Sequence, residues 1–374
     1  MPTINSGTYL NNFLTSITTS MRLPQPEPQY VFAQMAISAG IRMEALKAGM
    51  NTAQQFVSMA SEGKPVSAQL DQLARFADTM PDAVLYKAVL GKEKGDTVKF
   101  QRPVYAGGGY SIDARKVWGD KATSTTGQVI SAEEVSITLD QLEGPYSSSG
   151  SAVQPYAVRL ADGKFKNPIN EVSSEVTHHL RRDYIKLMDT IIRDQFCASP
   201  TYVTFVDNVA NAGALAAGKI FETDTIIEAR TQLAGREWSP FPNGRYVCLV
   251  PIQFNGHMLQ DTKFRELTAF HRNENPIMRY IGSIQDVDIY ECSTLSTYAA
   301  GTPYAGTNVA GGVTAVEALL IGPGAVGFAN AEDPACHFHD DTDYGKVAKV
   351  IWRATHGFGV IDHRGIQRIC ASSV

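Results

Sequence analysis

Tyr246-Val247-Cys248-Leu249-Val250-Pro251 is five apolar residues closed by a proline. A run that short, rich in Val and Tyr and with no polar alternation, reads as a strand covered on both faces. Pro251 has no N–H for a ladder and stops it. A short helix follows, ending in Leu259-Gln260-Asp261 and Phe264. Tyr280-Ile281-Gly282 and the alternating Val287-Asp288-Ile289-Tyr290 read as further strands. Two later segments are read together with this stretch, Ala318–Gly327 and Gly357–Ile369, the second opening with Gly357-Phe358-Gly359-Val360-Ile361-Asp362.

Around this unit the chain is long enough, at 374 residues, for two or three compact parts. Its 44% hydrophobic and 19% charged residues fit a substantial core, and 31 Gly imply many turns. The net charge of -5 is opposite in sign to that of a basic nucleic-acid binder. The first ninety residues carry six Lys/Arg and six Asp/Glu, so no basic arm is expected there. Cys197, Cys248, Cys292, Cys336 and Cys370 are far apart, odd in number and without CxxC spacing, and are read as reduced thiols. Met1–Ser20 lacks the basic start and apolar run of a signal peptide, and no stretch approaches the roughly 20 apolar residues of a membrane span. No membrane partner is expected.

Upstream, residues 1–28 are polar and end in Pro24-Gln25-Pro26-Glu27-Pro28, which forbids a helix and favours an extended arm. Val31, Met35, Ala39, Met43, Leu46 and Met50 recur at helical spacing, weakened by Gly40 and Gly49. A second short helix is expected at 67–78. Val98, Phe100, Arg102 and Val104, then Val135, Ile137 and Leu139, alternate with polar residues. Period two means two strands with one covered face, joined through a long tip that begins at Gly107-Gly108-Gly109. An isolated hairpin is marginal in water, so this one is expected to rest on another subunit. Asn167-Pro168 opens a long helix over 168–196, about 40 Å, with Val172, Val176, Leu180, Tyr184, Leu187 and Ile191 on one face. His178, His179, Arg181, Arg182 and Asp183 fall mostly on the other, wet face. A further helix is expected at 223–238, with Thr225 and Glu228 as a capping box. Residues 296–313 read as a surface loop, and strands return at Val316–Ile321, Val347–Arg353 and Gly357–Ile369.

In this order the elements resemble the major capsid protein of tailed bacteriophages, whose fold is shared with encapsulins and the herpesvirus capsid floor. Pro251, Leu259, Asp261, Phe264, Gly282 and Gly322 sit where such proteins often carry those residue types. The resemblance implies an α+β fold with an N-terminal arm, an extended hairpin (E-loop), a peripheral domain with a long spine helix, and an axial domain. It maps 1–91 to the arm and a helical segment, and 92–153 to the E-loop. It maps 154–220 to the peripheral domain with spine helix 168–196, 221–342 to the axial domain, and 343–374 to strands returning to the peripheral domain. It also implies a shell of hexamers and pentamers built from copies of the chain and enclosing double-stranded DNA without specific contacts. Scaffolding, portal and decoration proteins are the implied partners, and assembly in the host cytoplasm the implied setting. An encapsulin compartment is the alternative with the same fold.

Sharper chemical readings compete with bland ones. Gly322-Pro323-Gly324-Ala325-Val326-Gly327 matches GxGxxG after an apolar strand, with Asp343 downstream, as an NAD-dependent oxidoreductase would need. The residues that follow reach Pro334 too soon for the required helix, and a turn is the simpler reading. His337, His339 and Asp341 could ligate a metal, or belong to a solvated acidic loop. Gly107-Gly108-Gly109 lacks the Lys-Ser/Thr of a phosphate loop, and Ser147-Ser148-Ser149-Gly150-Ser151 lacks a nucleophile elbow. No catalytic, cofactor-binding or metal residue is assigned, and no cofactor is expected.

Overall fold

The computed structural model describes residues 30–48, 80–89, 91–103, 132–145, 155–159, 168–198, 202–268, 280–340 and 347–373. The arm at 1–28, the helix expected at 67–78, the hairpin tip, Ser147–Ser151, Asp341 and Asp343 lie outside them.

In chain order the first half forms α1 (Val31–Ala48), β1 (Val84–Ala88), β2 (Thr97–Pro103), β3 (Ala132–Thr138), β4 (Asp140–Gly144), β5 (Tyr156–Arg159) and α2 (Pro168–Cys197). Then come β6 (Val203–Phe205), α3 (Thr223–Gly235), β7 (Tyr246–Val250), α4 (Ile252–Gln260), α5 (Thr262–Thr268), β8 (Tyr280–Ile284) and β9 (Val287–Glu291). Three two-residue strands, β10 (Thr297–Tyr298), β11 (Pro303–Tyr304) and β12 (Thr307–Asn308), punctuate the loop. The chain closes with β13 (Ala315–Ile321), β14 (Val326–Asp340), β15 (Val347–Val360) and β16 (Ile366–Ser372).

A seven-stranded mixed sheet runs β6-β16-β13-β7-β9-β8, with β10 on β13. The opening stretch explains its position. Every residue of β7 is buried. Val247 and Leu249 face a core built with α1 and α2, while Tyr246, Cys248 and Val250 face a second core built with α3, α4 and α5. β13 does the same, with Leu319 and Ile321 on one side and Val316, Ala318 and Leu320 on the other. Alternate side chains leave opposite faces of a strand, so an all-apolar run is what a sheet covered on both faces requires.

The second sheet has five strands, β1-β14-β15-β4 with β5 also on β15. β15 is one strand through Val347–Val360, where the sequence suggested two. The last segment divides between the sheets, β15 in the five-stranded one and β16 in the seven-stranded one. The long helix forms as expected and runs one residue further, about 45 Å. Leu180, Tyr184, Met188, Ile192 and Phe196 are buried at four-residue intervals, and His178 and His179 are exposed.

The first ninety residues contribute more than an arm. α1 packs on α2, with the Phe32 and Phe196 rings 5.7 Å apart, and β1 pairs in parallel with β14. Gly40 leaves room for the Tyr86 ring, which would stand 3.1 Å from a Cβ there. α2 also caps α1. The buried Asp189 carboxylate accepts the Phe32 and Ala33 N–H groups at 2.9 and 3.1 Å.

Two details differ from expectation. Thr225 and Glu228 make no capping box, because α3 begins two residues earlier, at Thr223. Its first N–H is taken by Asp261 Oδ2 from 38 residues away, at 3.0 Å, and Asp261 Oδ1 accepts the Lys263 N–H of α5 at 3.0 Å. Burial pushes the Asp261 carboxyl up, but these hydrogen bonds outweigh it and hold it below its usual range. One carboxylate therefore fixes two helix starts. The second difference is at His337, which lies in β14 opposite Ile351 and not in a loop, because β15 supplies the partner strand.

His356 is buried against Phe328 and Phe358, its Nε2 3.0 Å from the Tyr184 hydroxyl, and burial lowers its pKa from 6.5 to about 4. Between those values the folded chain holds fewer protons than the unfolded one. The contribution is whole above pH 6.5 and is lost as pH falls towards 4, about 3 kcal/mol in all. Asp189, pushed by burial from 3.8 up to about 6, has the opposite sign and favours folding more as pH falls through that window. His356→Gln should flatten the decline of melting temperature from pH 7 to 4.5, and Asp189→Asn should steepen it. Parallel melting curves for wild type and both variants would contradict this assignment.

Candidate functional site

The β2–β3 hairpin belongs to neither large sheet. β2 and β3 pair antiparallel from Thr97↔Thr138 to Pro103↔Ala132. Val98, Phe100, Ile137 and Leu139 are buried, while Lys99, Gln101, Glu134 and Ser136 are exposed, as the period-two pattern requires. Lys99 pairs with Glu134 at 2.5 Å on the wet face, and Arg102 pairs with Glu133.

The root of this hairpin rests on its own chain, a support the sequence reading did not foresee. Its buried side chains form a third core with Ala329, Ala331 and Ile361. The reason is a patch of very small residues. On β14 and β15, Gly327 pairs with Gly359 and Ala329 with Gly357. A Cβ on Gly357 would stand 2.7 Å from the Thr138 carbonyl oxygen. One on Gly327 would meet Ile137 Cδ1 at 2.8 Å, and one on Gly359 would meet Ile137 Cγ1 at 3.0 Å. The opposite face of the same two strands is aromatic, with Phe328 and Phe358 stacked at 5.0 Å and 3°. Alternation thus gives a smooth seat on one side and a packed wall on the other.

Three further ties hold the root. The Gly95 N–H donates to the Leu139 carbonyl and the Leu139 N–H to the Asp96 carbonyl, both at 2.8 Å. β3 continues almost directly into β4, which is paired with β15 from Asp140↔His356 to Gly144↔Trp352. Arg102 Nε lies 3.8 Å from Asp362 Oδ2, and Arg364 holds the same carboxylate at 2.7 Å. Burial raises the Asp362 carboxyl, but the bonds from Arg364 outweigh it and keep it below the usual range. The hairpin is therefore anchored where it leaves the sheet.

Two of the chemical candidates, the GxGxxG segment and His337, are taken up by the fold. Gly322–Ala325 is the turn from β13 into β14, and Val326 and Gly327 already belong to β14, so the next element is a strand and not the helix a pyrophosphate site needs. Gly327 serves the hairpin seat. Among the described residues no group of three or more His, Cys, Asp or Glu is placed to hold a metal, and the five cysteines are free thiols. The sequence reading missed a buried ion pair, Glu317 with Arg368, bonded by the Tyr298 hydroxyl at 2.9 Å and covered by the Tyr304 ring 4.5 Å from the guanidinium. The signal was available, because Glu317 is the one charge inside the apolar run Ala315–Ile321. The two charges neutralise each other across neighbouring strands, and the arrangement is structural.

Gly357→Val should loosen the hairpin root, costing about 1–3 kcal/mol and exposing the root to limited proteolysis. Gly256, on α4 with nothing within 4 Å of its missing Cβ, is the control. Gly256→Ala should leave stability unchanged or raise it by up to about 1 kcal/mol. Wild-type stability and protease resistance in Gly357→Val would contradict the seat.

The model of the phage capsid protein family matches residues 164–369 of this 374-residue chain, more than half of it. No curated protein matches it in sequence. Among solved structures it is similar to the capsid of Ralstonia phage GP4, with a TM-score of 0.59 at 14% identity over 78% of this chain and 87% of that one. It is similar to the capsid of cyanophage Pam1, with a TM-score of 0.56 at 14% identity over 84% and 97%. At such identities the structural likeness establishes a shared fold, and the family match adds the role. The chain belongs to the phage capsid protein family and is a structural, major capsid protein of a virion shell.

Proposed function

We propose that copies of this chain close into hexamers and pentamers and tile an icosahedral phage head around double-stranded DNA. The observation that carries this reading is the anchored hairpin. Its root is fixed by the glycine seat, and 28 residues separate its two described strands, Pro103 and Ala132. A rigidly mounted extension is a means of reaching a neighbour, and stable contacts between subunits bury more than about 1,000 Å². In this reading β2 and β3 are the base of the E-loop, and α2 with the five-stranded sheet forms the peripheral domain. The seven-stranded sheet with α3, α4 and α5 forms the axial domain. The arm at 1–28 ties neighbours together.

Further parts of the reading follow from the fold class. The chain has no catalytic activity and no cofactor. Scaffolding, portal and decoration proteins meet it during assembly in the host cytoplasm. The net charge of -5 supports a wall that confines DNA without binding its phosphates. The family match favours the phage head over a cargo compartment.

Expression of the full chain alone should give rings, tubes or closed shells by negative-stain electron microscopy. Removal of residues 1–28 should leave a folded protein that no longer forms closed shells. Normal shells from the truncated chain would contradict the role of the arm. A wild-type chain that stays monomeric, even with its scaffolding partner present, would contradict the head itself.

A further inference from the structure

β13 passes into β14 through residues 322–325, and β15 into β16 through 361–365. Both passages carry the chain between the two large sheets, and they run side by side. The Gly322 N–H donates to the Gly365 carbonyl at 3.0 Å, and the Ile361 and Asp362 N–H groups donate to the Ala325 carbonyl at 2.8 and 3.2 Å. The half-buried Trp238 indole lies against both passages. A Cβ on Gly322 would stand 2.5 Å from Trp238 Cδ1, and one on Gly365 would stand 2.6 Å from Trp238 Cε2. Two glycines on neighbouring passages thus make room for one ring. Its Nε1 donates to the Pro323 carbonyl at 3.2 Å.

Trp238 is held from the seven-stranded sheet. It closely follows α3, and the Tyr246 hydroxyl of β7 donates to its carbonyl. Arg236, just before it, donates to the Arg364 and Ile366 carbonyls at 3.1 and 3.3 Å and to Gln367 Oε1 at 2.6 Å. The passage at 361–365 also meets the hairpin. Ile361 packs in the hairpin core. The Arg364 guanidinium lies 5.9 Å from the Trp238 ring centre and grips the buried Asp362 carboxylate through Nε at 3.0 Å and Nη2 at 2.7 Å. Arg102 Nε of β2, buried and without a hydrogen-bond partner among the described residues, lies 3.8 Å from the same carboxylate.

We propose that residues 361–365 couple the hairpin to the seven-stranded sheet, with Trp238 as the positioning residue. The indole and Arg236 fix Arg364 and Gly365, Arg364 holds Asp362, and Asp362 faces Arg102 at the hairpin root. Without the ring, Arg364 loses the surface it is set against, and the carboxylate loses its fixed orientation toward Arg102. The glycine seat decides how closely the hairpin lies on the five-stranded sheet. The coupler ties it to the other sheet as well. Its use in a shell rests on the assembly reading above, in which the hairpin is a contact between copies. A hairpin set from both sheets meets its neighbour in one direction.

Hydrogen exchange on the unassembled full chain reads the coupling, and negative-stain microscopy reads its use in shells. Trp238→Ala should speed exchange of the paired β2 and β3 amides about tenfold or more while α2 amides exchange as in wild type. Trp238→Phe keeps a ring on the two glycines and should restore most of the protection. Asp362→Asn should speed the same hairpin amides, and adding it to Trp238→Ala should change little more, since both cut one chain of contacts. If Trp238→Ala does not fold, Arg364→Gln, which releases the indole and the carboxylate together, takes its place. Hairpin amides that keep wild-type exchange in a folded variant overturn the coupling. A rise shared equally by α2 overturns it too, because that marks a general loss of stability, as do fully additive effects of the two substitutions. A folded Trp238→Ala chain with a loosened hairpin that still builds normal shells upholds the coupling and contradicts the hairpin's part in assembly, so the two failures are told apart.

Discussion

The fold depends on a sheet covered on both faces. β7 and β13 send alternate residues into two cores, one with α1 and α2 and the other with α3, α4 and α5. Fully burying one such aliphatic side chain contributes about 1.5–3 kcal/mol. Neither face can be lost without exposing the other strands' apolar residues. Polar groups inside this layer are satisfied locally, as with Glu317 and Arg368. The two-sided burial fixes the position of α2, and α2 in turn fixes α1 through the Asp189 cap.

The second sheet uses the same alternation for a different end. One face of β14 and β15 is aromatic and packs inward. The other is reduced to Gly327, Ala329, Gly357 and Gly359, and the hairpin lies on it. Glycine in a strand weakens it, and here the loss is offset by the close approach it permits. Mechanical continuity from β3 into β4 carries any load on the hairpin into the five-stranded sheet. For a shell protein this matters, because contacts between subunits pull on the parts that project.

Much of this was legible in the sequence, because the periods were clean. The helical steps from Val172 through Tyr184 to Ile191 gave α2, although Met188 and Ile192 are buried there and Leu187 and Ile191 only half-buried; alternation at Val98–Phe100 and Val135–Leu139 gave the hairpin, and the run at Tyr246 gave a buried strand. What was not legible depended on residues distant in sequence. The hairpin seat needs Gly357 beside Thr138, a contact that no local period reports. The cap of α3 comes from Asp261, so the local Thr225 and Glu228 pattern misled. GxGxxG at Gly322–Gly327 was a turn plus one seat residue, since glycine spacing alone does not say what approaches the backbone. Soft motif residues such as Asp261 carried structural information, a double helix cap, in place of chemistry.

The central claim is that each subunit holds its own hairpin root before it meets a neighbour. Hydrogen exchange on the unassembled chain tests it directly. The account predicts slow exchange for amides of β7 and β13, and protection of the paired amides in β2 and β3 already present in the isolated subunit. Root amides that exchange freely in the subunit and become protected only in assembled shells would contradict it, and would return the hairpin to dependence on its neighbour.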